Sequence, residues 1–154
     1  MLDVDREQLG VLLEERAILR TLYRYAHAMD YGHEEDWVRT FTADGVFDVV
    51  RMPDRTTIHR EDGAGDLAAY IAGYAKPPNV RKHILLNPLI ELDGDQAQVD
   101  SYWLFLGKDT DSATIQAFGR YHDTLRKVDG EWRIASRYAE TESIEETAGE
   151  ASER

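Results

Sequence analysis

The chain has 154 residues, no cysteine and a formal net charge of -12 at pH 7. This length predicts a single domain with a hydrophobic core, and the lack of cysteine excludes disulfides, thiolate catalysis and cysteine-based zinc or iron–sulfur sites. The acidic balance argues against nucleic-acid partners, which need clustered Lys and Arg, and against an anionic membrane surface. No apolar run approaches the roughly 18 residues that span a bilayer, and the polar N-terminus lacks the pattern of a signal peptide, so we expect a cytoplasmic protein.

The first half of the sequence has the apolar periodicity of helices. Apolar residues recur at three- and four-residue intervals before Gly32, which predicts one or two successive helices with a buried stripe that ends at this glycine. Shorter helices are predicted over residues 33–41 and 65–75, with a strand over 46–52 and a polar loop between them. The stripe consists of Leu9, Leu12, Leu13, Leu19, Leu22, Tyr23, Ala26 and Met29.

The second half of the sequence has the composition of long strands. Four segments rich in β-branched and aromatic residues are joined in two places by Asp-Gly, a strong hairpin signal. Helices followed by such an antiparallel meander predict one α+β domain, residues 1–140, with the helices on one face of a strongly curved sheet. Residues 141–154 are predicted to be an acidic, solvated tail. The strand segments are residues 81–92, 96–107, 113–127 and 132–139.

The sequence contains no motif that binds a common cofactor. The patterns GxGxxG, GxSxG, HExxH and the Walker loop are absent, which removes the best support for nucleotide, phosphate, serine-hydrolase and zincin sites. No two of the five histidines stand at ligand spacing on one predicted element, so we predict no metal and no cofactor. A sheet bent round helices leaves an open cone instead, which suits a small apolar or cyclic molecule in a mostly apolar pocket.

His83 is the most informative single residue. Strand alternation places it on the same face as Leu85 and opposite Ile84. If that face points into the cone, His83 is a titratable group in an apolar cavity and is suited to proton transfer near neutral pH. The alternative is a structural histidine that is hydrogen-bonded within the sheet.

Asp30 is the natural partner for an inward-facing histidine. It follows Ala26 by four residues and therefore points toward the same buried side of the first helix. A buried carboxylate needs a partner, and a histidine N–H would supply one while the carboxylate fixed the imidazole tautomer. The alternative is an exposed residue at the helix end. Tyr25, five residues earlier, either projects toward the cavity mouth as a hydrogen-bond donor or is a core aromatic residue.

Other candidates lie on the predicted strands. Asp100 and Arg137 fall in mid-strand, where a charged residue is more often on the surface than in a cavity. Aromatic side chains alternate along the same strands, so about half of them are expected to line the cone. These candidate walls are Trp103, Phe105, Phe118, Tyr121 and Trp132.

Three segments together resemble the SnoaL-like branch of the NTF2-like superfamily. They are LYRYAHAMDYGHEEDWVRTFTADGVFDV, VRKHILLNP and DGEWRIASR, and the resemblance covers roughly residues 8–140. It implies a cone-shaped fold and a working pair of Asp30 and His83, as in scytalone dehydratase and bile-acid 7α-dehydratase. It also implies a role for Tyr25, for Arg137 and, less directly, for Asp100. The second histidine of scytalone dehydratase has no counterpart around Trp103.

The resemblance implies a lyase of the dehydratase type that needs no cofactor. Its catalytic residues would be Asp30, His83 and Tyr25. The substrate would be a small alicyclic or polycyclic carbonyl or hydroxy compound. The alternatives are a non-catalytic binding or subunit-assembly domain, and an isomerase or polyketide cyclase that uses the same base. Aromatic residues on the outer sheet face, and the habit of the family, predict a homodimer or higher homo-oligomer. Substrate-binding residues would be Arg137, Asp100, Trp103, Phe118 and Tyr121.

Overall fold

The computed structural model describes residues 5–74, 81–109 and 112–144, and within them the chain forms three helices and six strands. The predicted α+β class is confirmed, because the helices pack together on one side of a single sheet. The predicted tail begins inside the last strand, and its residues 145–154 lie outside the described part of the chain. The elements are α1 (Arg6–Tyr31), α2 (Glu34–Arg39), β1 (Phe41–Arg51), β2 (Thr56–Asp62), α3 (Gly63–Gly73), β3 (Arg81–Asp93), β4 (Gln96–Asp109), β5 (Ser112–Val128) and β6 (Glu131–Ile144).

Helix α1 is bounded by signals in its own sequence. The Asp5 carboxylate accepts a hydrogen bond from the backbone N–H of Glu7 at 3.0 Å and caps the first turn. Gly32 adopts the left-handed conformation with a φ of 73°, and its N–H donates to the carbonyl of Ala28. The predicted end of the helix at Gly32 is therefore confirmed.

The buried stripe of α1 differs in part from the predicted one. Ile18, Leu22, Tyr25 and Met29 are buried in the core. Periodicity identifies residues that share a helix face, but not how far along the helix the rest of the fold covers that face. The prediction is wrong for four residues, which are between 45% and 61% exposed: Leu9, Leu12, Leu13 and Tyr23.

The strands form one mixed sheet in the order β2-β1-β6-β5-β4-β3. Strands β1 and β6 pair in parallel, and all other neighbours are antiparallel. Strand β2 was predicted as a loop because its residues are polar; it forms an exposed edge strand instead. Register shifts interrupt each of these strand pairs, and such bulges bend the strands so that the sheet can wrap round the helices.

Two hydrophobic clusters lie on the inner face of the sheet. The main core joins the three helices to the sheet around Trp37, Phe47 and Ile134. A smaller cluster consists of Trp103, Tyr121 and Ala139, with partly buried neighbours on β1, β3, β4 and β5. None of the helices in the described residues is long and apolar enough to cross a membrane.

Candidate active site

Asp30 and His83 form a hydrogen-bonded pair between the end of α1 and the start of β3. The Nδ1 atom of His83 lies 2.6 Å from Oδ1 of Asp30, and the backbone N–H of His83 donates to Oδ2 at 2.9 Å. Both carboxylate oxygens are therefore held by one residue. The side chains are 3% exposed for Asp30 and 13% exposed for His83.

This contact determines which nitrogen of His83 is available. An ionised carboxylate can only accept hydrogen bonds, so Nδ1 is the donor and Nε2 carries the lone pair of the neutral imidazole. Nε2 forms no hydrogen bond with any of the described residues. The imidazole lies beside two aromatic rings, Phe105 at 4.7 Å and Tyr74 at 6.4 Å between centroids. The arrangement is that of a base whose second nitrogen is fixed by an acid.

The position of Asp30 carries an energetic cost that the pairing offsets. A carboxylate at a helix C-terminus opposes the helix macrodipole, and a buried charge without partners is unfavourable. The two hydrogen bonds from His83 offset this cost, because a hydrogen bond to an ionised carboxylate is stronger than one between neutral groups. The stability of this corner of the fold therefore depends on His83 remaining next to Asp30.

A second buried ion pair joins β5 and β6. The Nε and Nη2 atoms of Arg137 donate to the two carboxylate oxygens of Asp123 at 2.8 and 2.7 Å, and both side chains are 0% exposed. The guanidinium lies between the rings of Tyr25, at 4.1 Å, and Tyr121, at 4.0 Å. Arg137 is thus a core residue, and the prediction that it is more often a surface residue is wrong because Asp123 directly opposite compensates its charge.

Tyr25 lies in the core and not at a cavity mouth. Its side chain is 2% exposed and its ring contacts those of Trp37 and Phe41. Burial raises the pKa of Tyr25 to about 12, although Arg137 acts in the opposite direction. Burial likewise holds the pKa of Tyr121 well above its ordinary value. Both phenols are therefore neutral hydrogen-bond donors at physiological pH.

Two tyrosines of the α3 region were not anticipated as site residues. Burial raises the pKa values of Tyr70 and Tyr74, and the negative charge of Asp30 adds to the effect on Tyr74. The rings of Tyr70 and Tyr74 lie 6.1 Å apart between centroids, and the Tyr74 ring lies 6.4 Å from that of His83. Their spacing of four residues at the end of α3 was a signal for a shared face.

Trp103 and Tyr121 form an aromatic wall on the inner face. Their rings stack at 5.6 Å with an interplanar angle of 19°, and the indole N–H of Trp103 donates to the carbonyl of Glu140 at 3.2 Å. Phe105 packs against the same cluster and also contacts His83. The wall thus extends from the Arg137 ion pair toward the Asp30–His83 pair.

Asp100 and Phe118 lie on the opposite side of the sheet from this wall. Asp100 is exposed and hydrogen-bonds to Nδ1 of His122 at 2.6 Å, and Phe118 is 41% exposed. Odd-numbered residues of β4 and β5 around these positions face inward, so these two even-numbered residues face outward. Their predicted contact with a substrate beside His83 is therefore wrong.

Metal ligation has no support in the part of the chain that the structure describes. No group of three or more His, Asp or Glu side chains there is arranged to hold an ion. Both paired histidines, His83 and His122, instead have a single carboxylate on Nδ1.

Solved structures share this architecture. The β subunit of a candidate aromatic-ring-hydroxylating dioxygenase from Novosphingobium aromaticivorans aligns with a TM-score of 0.78 over 88% of this chain and 93% of its own, at 19% identity. A candidate scytalone dehydratase from the same organism aligns with a TM-score of 0.69 over 86% of each chain, at 26% identity. A protein from Catenulispora acidiphila in complex with S-DNPA aligns with a TM-score of 0.70 over 84% of this chain and 94% of its own, at 26% identity.

Sequence comparison gives a more specific result. The profile of the SnoaL-like domain matches residues 10–138. No curated protein is significantly similar in sequence. The similarity to the dioxygenase β subunit shows the fold alone, because the two sequences are only 19% identical.

Proposed function

Because the chain belongs to the SnoaL-like domain family, within the NTF2-like superfamily, we propose that it is a cofactor-free lyase that eliminates water from a small alicyclic or polycyclic hydroxy-carbonyl compound. The observation that carries this proposal is the Asp30–His83 contact of 2.6 Å beside an aromatic wall. The similarity to a candidate scytalone dehydratase supports the same reaction class.

His83 is the general base in this proposal. Its Nε2 removes a proton from the carbon next to the substrate carbonyl, and the electron pair moves onto the carbonyl oxygen as an enolate. When the enolate collapses, a carbon–carbon double bond forms and the bond to the β-hydroxyl breaks. The imidazolium returns its proton to the departing oxygen, so the products are an α,β-unsaturated carbonyl compound and water. Positioned acid–base catalysis of this kind contributes about 10²–10⁴ in rate.

Asp30 acts through His83 and not on the substrate. Its carboxylate holds the imidazole in the tautomer that leaves Nε2 free, and it stabilises the imidazolium after proton transfer. The backbone hydrogen bond from His83 to Oδ2 fixes the carboxylate in turn. Asp30 is therefore a positioning residue.

The enolate oxygen requires donors that need not rearrange during the reaction. Tyr74 lies beside the His83 ring, at 6.4 Å between centroids, and burial raises the pKa of its phenol, so it stays protonated and can donate to a developing oxyanion. Tyr25 and Arg137 are core residues, so they support the aromatic wall through the contact of the Arg137 guanidinium with the Tyr121 ring at 4.0 Å and do not touch the substrate. Trp103, Phe105 and Tyr121 form the apolar wall for a ring system.

The first test is proton exchange in D₂O. Cyclic β-hydroxy ketones are incubated with the protein, and the loss of the ¹H NMR signal next to the carbonyl is followed together with the absorbance of the enone product. We expect catalysed exchange and elimination by the wild type, and a loss of at least about 10²-fold in His83→Ala. His122→Ala is the matched control and should keep the wild-type rate.

Two results would contradict the lyase. Equal exchange rates for wild type and His83→Ala would remove His83 from the chemistry. Tight binding of such a ketone without any exchange would show a binding domain in place of an enzyme.

We also propose that the chain forms a homodimer through the outer face of β3, β4 and β5. Ile84, Leu104 and Phe118 lie directly opposite one another in adjacent strands and share this face, and Tyr102 lies in the next row, 53% exposed. Exposed apolar patches of this kind mark interaction sites, and a two-fold dimer would cover the same patch on both copies.

Phe118→Lys should convert the dimer to a monomer in sedimentation velocity, because a lysine would be buried unpaired at the centre of the interface. Gln98→Lys, a substitution of an exposed polar residue farther along β4, is the control and should leave the mass unchanged. A wild-type mass equal to one chain would contradict the proposed dimer.

A further inference from the structure

A groove of about 820 Å³ lies on the helical side of the molecule, between α1, α2 and the turn that joins β5 to β6. One stripe of α1 forms one wall, and Gly130 of the turn with the first residues of β6, Glu131 to Arg133, forms another. No residue of the candidate active site lines it. The volume is in the range of small-molecule sites.

Three arginines project from the α1 wall with no ion-pair partner in the described residues. Arg16, Arg20 and Arg24 are exposed and stand at successive intervals of four residues. With a rise of about 1.5 Å per residue, they are about 6 Å apart and span about 12 Å. Like charges at this spacing destabilise a helix. Such a ladder is unexpected in a chain with a net charge of -12, where carboxylates outnumber Lys and Arg by 30 to 18.

Glu14, a carboxylate of α1 two residues before Arg16, is already paired with other groups. Glu14 accepts hydrogen bonds from Nζ of Lys127 at 2.7 Å and from the indole N–H of Trp132 at 2.6 Å. The Lys127 and Trp132 hydrogen bonds lower the pKa of Glu14, so it is ionised and committed to that corner. It therefore does not neutralise the arginine ladder.

The two acids that line the groove are also paired. Asp36 lies 3.6 Å from Arg39, and Glu131 lies 3.3 Å from Arg133. Each of these pairs contributes no net charge. The groove therefore carries the three positive charges of the ladder.

Two histidines extend this basic lining, and small apolar residues complete it. His27 follows Arg24 by three residues, and His33 faces the groove from the start of α2. Leu13, Ala17 and Ala28 of α1 supply an apolar surface between the charges. The site thus combines a row of guanidinium groups with room for an organic body.

We propose that this groove binds a small organic molecule that carries two or more phosphate groups. One guanidinium group can donate two parallel hydrogen bonds to two oxygens of the same phosphate. Phosphates that are separated by one helical turn would contact successive arginines of the ladder. A ligand of this size matches the concave shape, whereas a long nucleic acid would be repelled by the net charge of the rest of the protein.

The test is isothermal titration calorimetry with inorganic tripolyphosphate, and with inorganic phosphate as the single-group comparison. We expect tripolyphosphate to bind at least tenfold more tightly than phosphate. The affinity should fall as salt rises from 50 to 200 mM, and the slope of log affinity against log salt should correspond to about one phosphate contact per arginine. Arg20→Gln should weaken binding by about tenfold or more.

The matched control is Arg6→Gln, which removes the same charge from the same helix outside the groove and should leave the affinity unchanged. Equal losses in Arg6→Gln and Arg20→Gln would show that only net charge matters and would overturn the site. A poly-glutamate peptide that displaces tripolyphosphate at lower concentration would also overturn it, in favour of an acidic protein partner. None of these measurements depends on lyase activity.

Discussion

Asp123→Asn should lower the free energy of unfolding by about 3–5 kcal/mol, because it leaves a buried charge without its counter-ion. Arg137 is 0% exposed and has no second carboxylate bonded to it in the described residues. An asparagine keeps the shape of the side chain, but its amide group would replace one acceptor oxygen with a donor that faces a guanidinium. Chemical denaturation of the variant and the wild type measures the difference.

Two further variants separate the charge effect from general damage to the hairpin. Glu131→Gln removes an exposed ion pair with Arg133 in the same hairpin, and it should cost less than about 1 kcal/mol. The double variant Asp123→Leu with Arg137→Met removes both charges and should recover most of the loss. If Asp123→Asn cost no more than Glu131→Gln, the pair would be irrelevant to stability.

Local signals account for the parts of the fold that could be predicted from the sequence. The turns after β3 and β5 are Asp-Gly, and Gly94 and Gly130 both adopt positive φ values. The end of α1 at Gly32 is equally local. The parallel pairing of β1 with β6 joins residues about 90 positions apart in the chain, and nothing near either strand encodes it. Strand β2 has a single apolar residue, Ile58, and therefore shows no alternation of apolar and polar residues.

In the candidate site, too, local sequence patterns predict some features, and contacts between distant residues decide the others. Helix periodicity predicts Asp30 on the buried side of α1, and strand alternation allows His83 to face inward. Whether the two residues meet depends on how α1 crosses β3, which neither pattern encodes. Asp123 was missed because mid-strand charges suggest a surface. Counting back from the β5–β6 turn places it opposite residue 136, and a register shift at Thr124 moves it opposite Arg137. Strand parity would also have separated Asp100 from the inner wall.

Asp30→Asn should reduce the rate of the proposed elimination by about 10²–10⁴ without preventing substrate binding. The amide cannot stabilise an imidazolium as a carboxylate does, and its NH₂ group can donate to Nδ1 and so favour the tautomer with a proton on Nε2. That tautomer has no lone pair where the substrate proton must be taken. The expected loss is therefore in kcat, with little change in KM, and ¹⁵N NMR of His83 should show that Nε2 has gained a proton.

The chain contains an internal control for this prediction. Asp100 and His122 form a pair with the same Nδ1–Oδ1 distance of 2.6 Å, on the outer face of the sheet. Asp100→Asn should change the tautomer of His122 in the ¹⁵N spectrum and leave the elimination rate at the wild-type value. An equal loss of rate in both variants would mean that the effect comes from charge or stability and not from the positioning of His83. A normal rate in Asp30→Asn would mean that His83 does not need a carboxylate to act, and it would overturn the role of Asp30 as a positioning residue.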